Sequence, residues 1–513
     1  MRALALLTCA VFGSAAAPAR GADFHVDPTG GSDTGDGTAA RPWRSLQSVV
    51  DRQVETRNWE SLPYTGKSLV TANAGAPVKA GDTIWLRTGD HGALTILGAY
   101  NAAPVTVAAE VGATPRFTSV LVRSARNWVL RGFSVSPTHG TSAAAGTLVV
   151  VENHGWSGPA SDVVIDGFDV FTVPDERVWA TAADWDARSA NGVTATGDRV
   201  TIRNCWVRNV NYGIAVTGRG SRVEHNSVDG FCGDGLRGLG DDEVFEYNLV
   251  KNARDVNADH RDGFQSWSVG PGGVGTGVVR NITLRGNVII GHEPGVRFAG
   301  TLQGIGCFDG TFDGWVVENN VVLTDHWHGI SFYGARNLRI VNNTVLDLNA
   351  VDPGPPWIMV TAHKDGTPSR DALVRNNLTA DLSVSGDNVV ADGNLILPAD
   401  PASFFVDLAH LDVRLAAGSP AIDRGVAGQS PAADADGIAR PQGGGVDVGA
   451  YEFAPGATRP PGGAAGPGGA PPGGGSPGGA LPPPPSGCGN PAGDLALGLV
   501  ALVAVAKRLR RRG

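Results

Sequence analysis

Asn204-Cys205-Trp206-Val207, Asn226-Ser227-Val228 and Asn248-Leu249-Val250 carry one frame, an asparagine followed two residues later by an apolar side chain, at 22-residue intervals. The frame returns, with insertions between copies, at Asn287, Asn320, Asn343 and Asn377. A second mark follows most copies: Gly213-Ile214, Gly235-Leu236, Gly263-Phe264, Gly304-Ile305 and Gly329-Ile330. A fixed period of roughly 20–50 residues is the signature of a solenoid, in which each unit buries its apolar face only against its neighbours.

Outward from this core, short alternating segments such as Trp128–Val135, Val163–Val170, Arg222–Val228, Ile282–Ile290 and Leu338–Leu346 read as strands with one face inside. Gly132 and Gly167 take the asparagine's place in two early copies. The period is too short for a four-stranded propeller blade, and the asparagines hold one register, so the pattern predicts an all-β, right-handed parallel β-helix. Equivalent asparagines on coils about 4.8 Å apart can hydrogen-bond up and down the stack, and asparagine tolerates the left-handed conformation of a tight corner. Turn chemistry thus accounts for the asparagine column.

The first folded segment, Phe24-His25-Val26-Asp27-Pro28 through Gly81-Asp82-Thr83-Ile84-Trp85-Leu86-Arg87, resembles the N-terminal cap and first coil of such proteins. It implies a capping helix near Pro42–Val50, which a solenoid's apolar end requires. Asp412–Asp423 and Asp436–Glu452 resemble the closing segment of many secreted bacterial β-helix proteins. Asp434-x-Asp436-Gly437 looks like a calcium loop but lacks the later bidentate glutamate, so it reads as a turn.

The ends differ in kind from the body. Residues 1–22 read as a signal peptide: Arg2, an apolar run and small residues up to Ala19. The β-helix domain spans 23–454, and 455–487 is a Gly/Pro-rich linker unable to bury apolar surface. Residues 488–513 hold Cys488, an apolar run of 12 residues and an arginine cluster, and resemble a myxobacterial surface-sorting signal. That run is short of the roughly 20 residues that span a bilayer, so it reads as a sorting signal or a marginal membrane anchor held by its positive flank. The expected location is the cell surface, the outer envelope or the extracellular space.

Formal charge is −9 overall; the signal, linker and tail together carry +7, which leaves −16 on the body. So acidic a body disfavours nonspecific nucleic-acid binding, but a local basic patch would still admit a polyanionic glycan. Cys205 and Cys232, about one repeat apart, could pair in an oxidising compartment and leave Cys307 alone. Their different places in the frame argue against it.

Aligned on the Gly-apolar mark, the residue before glycine runs Asn191, Tyr212, Asp234, Asp262, Gln303, His328. The residue two after glycine runs Thr194, Ala215, Arg237, Gln265, Gly306, Ser331. A turn has no need of Asp, Asp and His on neighbouring coils, and stacked like charges repel. Insertions add Arg254, Asp255, Asp259, His260 and Arg261 beside this column, and His326, Trp327 and Tyr333 adjoin it. Trp179 and Trp185, in a further insertion, either wall the groove or pin their own loop.

Asn257-Ala258-Asp259-His260-Arg261-Asp262-Gly263-Phe264 resembles the N-x-DGF region of exported, calcium-dependent β-helix pectate lyases. The resemblance implies a polysaccharide lyase that eliminates across an acidic glycan. Those enzymes carry a catalytic lysine shortly after DGF, where this chain has Gln265, Ser266 and Trp267. The expected catalytic set is therefore His260, Asp262, His328 and Asp234, with His260 or His328 as base. Arg237, Arg261, Gln265, Trp267, Trp327 and Tyr333 are expected to bind substrate through ring stacking and carboxylate pairing.

Two other readings stand beside this one. Asp234 and Asp262 on adjacent coils match the roughly 5 Å carboxyl separation of retaining glycosidases, and could equally hold Ca2+. A non-catalytic glycan-binding adhesin is the remaining alternative. No organic cofactor is expected, and any membrane contact would be through the tail alone.

Overall fold

The computed structural model describes residues 21–141, 146–349 and 351–456; the expected signal peptide up to residue 20, the linker beyond residue 456 and the sorting tail lie outside the described residues. The chain forms a right-handed parallel β-helix. Three parallel sheets wrap one core, and each central coil gives a strand to each. The first sheet has 13 strands, from Asp23–Val26 to Val390–Asp392. The second includes Trp206–Val210, Ser227–Phe231, Leu249–Ala253 and Val288–Ile290. The third stacks Ile214–Val216, Leu236–Gly238, Asp262–Trp267, Gln303–Asp309, His328–Tyr333 and Trp357–Thr361. Among the described residues, no helix is long and apolar enough to cross a membrane.

The asparagines form a buried amide ladder between the first and second sheets. Nδ2 of Asn226 donates to Oδ1 of Asn248 (3.0 Å), and the relay continues at 2.9 Å through Asn287, Asn320, Asn343 and Asn377 to Asn394. Each amide also donates to a strand carbonyl, as Asn287 does to Phe245, and accepts the backbone N–H of the preceding rung. From Asn248 to Asn377 every donor and acceptor of these amides is thereby used.

Strand register corrects the sequence frame in two places. Trp206 lies opposite Ser227 and Arg203 opposite Glu224, so the rung equivalent to Asn226 is Cys205, not Asn204. The left-handed conformation falls on the residue before each rung: Asn204, His225, Tyr247, Asn319, Asn342 and Asn376 have φ between 54° and 57°, and none of the ladder asparagines has positive φ. Gly132 and Gly167 belong to this corner column, and the ladder position on their coils is held by Phe133 and Phe168, stacked 4.7 Å apart. The same column is thus a phenyl stack at one end and an amide ladder at the other.

The glycine mark has a different cause. Gly192, Gly213, Gly235, Gly263, Gly304 and Gly329 have no positive φ; what fixes them is close approach. A Cβ on Gly263 would lie 2.8 Å from the carbonyl oxygen of Gly304, and one on Gly304 would collide with the Gly329 carbonyl and the Val322 side chain. Gly304→Ala is expected to cost about 1–3 kcal/mol through overpacking, read as a lowered urea midpoint. An unchanged midpoint would show that the wall can relax.

The ends are closed by side-chain devices. Helix Leu46–Arg52, capped by the Ser45 hydroxyl, adds Leu46, Val49 and Val50 to the core. Its Gln47 side chain donates to the Thr95 carbonyl (2.9 Å) and accepts the Thr95 N–H (2.7 Å), satisfying the first strand of the third sheet. The closing segment does more than the sequence indicates. Phe404, Phe405, Leu415, Val448 and Tyr451 pack on Leu249, Val288, Ile290, Val321 and Leu323, the outer side of the second sheet. Those strands are covered on both faces, which explains their unbroken apolar runs. Cys205, Cys232 and Cys307 are free buried thiols, so the Cys205–Cys232 pairing is not made.

Candidate active site on the third sheet

The site stands on the outer side of the third sheet, where the column before glycine faces out. Register confirms the alignment of its copies: Leu236 pairs with Phe264, Arg237 with Gln265, Asp262 with Gln303 and Gly306 with Ser331. Phe264 turns into the core and Gln265, next to it, turns away by the ordinary alternation of a strand. Asp262, two residues before Phe264, breaks that alternation at Gly263 and lies on the side of Gln265.

The insertion before Asp262 is braced from outside. Arg254 is buried, pairs with Glu176 (2.9 Å) and lies over the Trp185 ring. Asn257 Nδ2 donates to Asp186 (2.8 Å), on helix Ala182–Arg188. Trp179 and Trp185 meet edge to face at 4.7 Å against Cys232; both are buried, and they pin the loop rather than wall a groove. Arg261 is tied to Asp255 (2.9 Å) and to the Asp259 and Thr301 carbonyls, within the same brace.

Two clusters result. In the first, His260 Nδ1 lies 2.7 Å from Asp262 Oδ2, which also accepts from Gln265 Nε2 at 2.8 Å. Asp262 Oδ1 is buried without a hydrogen-bond partner, against Gly306. Burial raises the Asp262 carboxyl, the hydrogen bond from His260 pulls it down and the nearby Asp234 charge raises it again, leaving it at about 6. Asp234 pairs with Arg237, whose guanidinium is sandwiched between the rings of Tyr212 (4.6 Å) and Trp267 (4.7 Å). Burial works against the Arg237 charge, but Asp234 and Tyr212 together more than offset it, and the guanidinium is held above its ordinary pKa. Burial, helped by Asp234 and Asp259, pushes the Tyr212 phenol well up; its hydroxyl donates to Asp259 at 3.3 Å.

Exposure separates these groups. Asp262 is 0 % and Asp234 3 % exposed, whereas the His260 side chain is 38 % exposed. A sugar placed against this cluster meets His260, not the carboxylates. The paired-aspartate geometry for hydrolysis is therefore present in the backbone but closed to substrate.

The second cluster is aromatic and is centred two coils beyond. His328 stands among Phe308 (4.7 Å), His326 (5.4 Å) and Trp357 (5.3 Å), with Tyr333 at the edge. Trp327 is 44 % exposed and stacks on Trp357 at 6.5 Å. Burial, then the neighbouring His326, lowers the His328 imidazole to about 4, so it is neutral at ordinary pH. The charges of His260 and Arg261 reach His326, which links the clusters.

Phe308 and Trp357 were missed by sequence reasoning. Four residues after the glycine mark the copies read Trp267, Phe308 and Tyr333, so extending the alignment by two positions would have exposed an aromatic column. Trp357 lies opposite His328 on a coil whose glycine mark is absent, and no frame search could have reached it.

Asp234, His260 and Asp262 each offer one atom within 4.8 Å of the others. Calcium takes about 6–8 oxygen ligands. Here one donor is an imidazole nitrogen, one carboxylate oxygen is held by Arg237 and another by His260 and Gln265. The residues present do not make a calcium cage.

A family model described as the right handed beta helix region matches residues 182–345. No curated protein matches the chain in sequence. Among solved structures the chain is similar to pectate lyase Pel9A, at 15% identity over 84% of this chain and 96% of that one (TM-score 0.46). It is also similar to a rhamnogalacturonan lyase, at 15% identity over 78% and 94% of the two chains (TM-score 0.42). A third is the A-module of the Azotobacter vinelandii mannuronan C-5 epimerase AlgE6, at 11% identity over 62% and 91% (TM-score 0.37). At these identities the likeness is one of fold alone.

Proposed function

We propose that this chain is an exported polysaccharide lyase acting on an acidic glycan, with His260 as the base. The observation that carries the reading is the His260–Asp262 pair: the buried carboxylate accepts Nδ1–H at 2.7 Å, which puts the basic lone pair of this partly exposed ring on Nε2. A carboxylate fixing the tautomer and orientation of an imidazole is the arrangement by which histidine takes a proton near neutral pH.

On a uronate, Nε2 withdraws the proton on the carbon next to the carboxylate. The C–H electron pair becomes the new C=C bond, and the glycosidic C–O bond at the β position breaks. The imidazolium so formed carries the proton that the leaving oxygen requires. Arg237, buried, paired with Asp234 and held between two rings, contributes positive charge from beneath the site and not by contact, and Trp327, Trp267 and Tyr333 offer ring faces for neighbouring sugars.

The test is incubation of the purified protein with pectate, alginate and glycosaminoglycans while following ultraviolet absorbance of the unsaturated product. Absorbance growth on one of them is expected. Binding without any growth on all three would sink the lyase reading and leave a glycan-binding adhesin in its place.

A further inference from the structure

We infer that His328 is fixed as a neutral imidazole protonated on Nε2, and that it serves as a hydrogen-bond donor to a substrate oxygen rather than as a second base. The argument is one of donors and acceptors. Indole Nε1–H of Trp357 can only donate, and it lies 3.2 Å from both His328 Nδ1 and Ser331 Oγ. Ser331 Oγ is itself 2.9 Å from Nδ1. Were Nδ1 protonated, two N–H groups would face each other across 3.2 Å. With Nδ1 bare, its lone pair accepts the serine O–H, and the indole N–H is shared between Nδ1 and Ser331 Oγ, so no two donors oppose each other. The tautomer is thus assigned from the hydrogen-bond network, and Nε2 must carry the proton.

The surroundings hold the ring to that state. Phe308, Trp357 and Tyr333 give it no anionic partner, and the titratable group stacked on it is His326. His326 is set in the same sense: its Nδ1 accepts the backbone N–H of His328 at 3.1 Å, which puts its proton on Nε2 as well. Two neutral donors therefore stand at this rung. His260, two rungs away and roughly 10 Å along the stack, presents a lone pair instead.

The pair of tautomers is complementary, an acceptor over one coil and a donor over another. Resting on the lyase reading above, this assigns His328 to an oxygen on which negative charge grows, the carboxylate of the sugar losing its proton. A neutral imidazole polarises such an oxygen without first giving up its own proton. The ligand chemistry implied is a glycan with an acceptor oxygen above an aromatic floor formed by Trp327, Trp357 and Tyr333.

Nitrogen-15 NMR of the full-length protein with labelled histidine reads the tautomer directly, without substrate. His328 is expected as the neutral Nε2–H form throughout the neutral range, and Trp357→Phe, which keeps the ring but removes the donor, is expected to give a mixture of tautomers. An imidazolium or Nδ1–H form in the parent protein, or an unchanged tautomer in Trp357→Phe, would overturn the assignment. The kinetic arm uses His328→Gln, which keeps an amide donor, beside His328→Ala. Alanine is expected to lower turnover roughly 10²–10³-fold, the range for loss of one oxyanion donor. Glutamine is expected to stay within about 10-fold of the parent and to leave the acidic limb of the pH profile in place. A glutamine loss as deep as that of alanine would refute the donor role. Absence of turnover on every glycan would count against the lyase reading alone, because the NMR arm still decides the tautomer.

Discussion

His260→Ala is expected to lower turnover by roughly 10²–10⁴-fold, the contribution of a positioned general base, and to cost some stability at neutral pH, because the buried Asp262 carboxylate loses a hydrogen-bond partner. Asp262→Asn is expected to lose nearly as much activity, since the amide no longer requires Nδ1–H and the imidazole is free to take the wrong tautomer. Its stability should move the other way. The Asp262 carboxyl is raised by burial from 3.8 to about 6, so the folded state prefers it protonated. That preference favours folding at low pH and is lost as pH rises through about 6, above which an ionised, buried Asp262 is a cost of folding. A neutral asparagine removes the cost. Denaturation midpoints should therefore show a gain on the order of 2–3 kcal/mol for Asp262→Asn above that pH, shrinking toward nothing as pH falls to the ordinary carboxyl range. A variant that is inactive and also less stable at all pH would show Asp262 to be a structural anchor.

The largest stability effect is expected in the amide ladder. Asn320 is fully buried, and its Oδ1 accepts both the backbone N–H and Nδ2 of Asn287. Asn320→Ala strands two buried donors at about 1–3 kcal/mol each, so a loss of roughly 2–6 kcal/mol is expected. Asn394→Ala, at the half-buried last rung, should lose markedly less. Urea unfolding of both variants decides the matter; equal losses would mean that the ladder does not act as a relay of buried bonds.

The rung at Cys205 shows how far sequence carries such a fold. Period and strand alternation were plain because they repeat, and repetition is what a stack requires of its sequence. Phase was not. Asn204 and Asn226 look equivalent in the string, but a coil one residue shorter moves the ladder onto Cys205, and only strand pairing reveals it. The outward column of the third sheet was legible for a physical reason: Asp, Asp and His at stacked positions have no use in a turn. What the string did not show was depth. Asp234, Asp262 and His260 read there as three equal candidates, but Arg237 lies on Asp234 and Gly306 of the next coil lies against Asp262, so the first two are buried while the third stays at the surface. Trp357 was hidden because it stands on a coil that has lost the glycine by which the copies were aligned.

That glycine column has one more consequence, for how such a chain can change. Each glycine is held by the carbonyl of the next coil and the side chain beneath it. Six copies within this one chain carry Asn, Tyr, Asp, Asp, Gln and His at that preceding position over a nearly invariant backbone path. The wall therefore separates inheritance of shape from inheritance of chemistry. New reactivity can be written at a fixed address, one letter at a time, without renegotiating the coil that displays it.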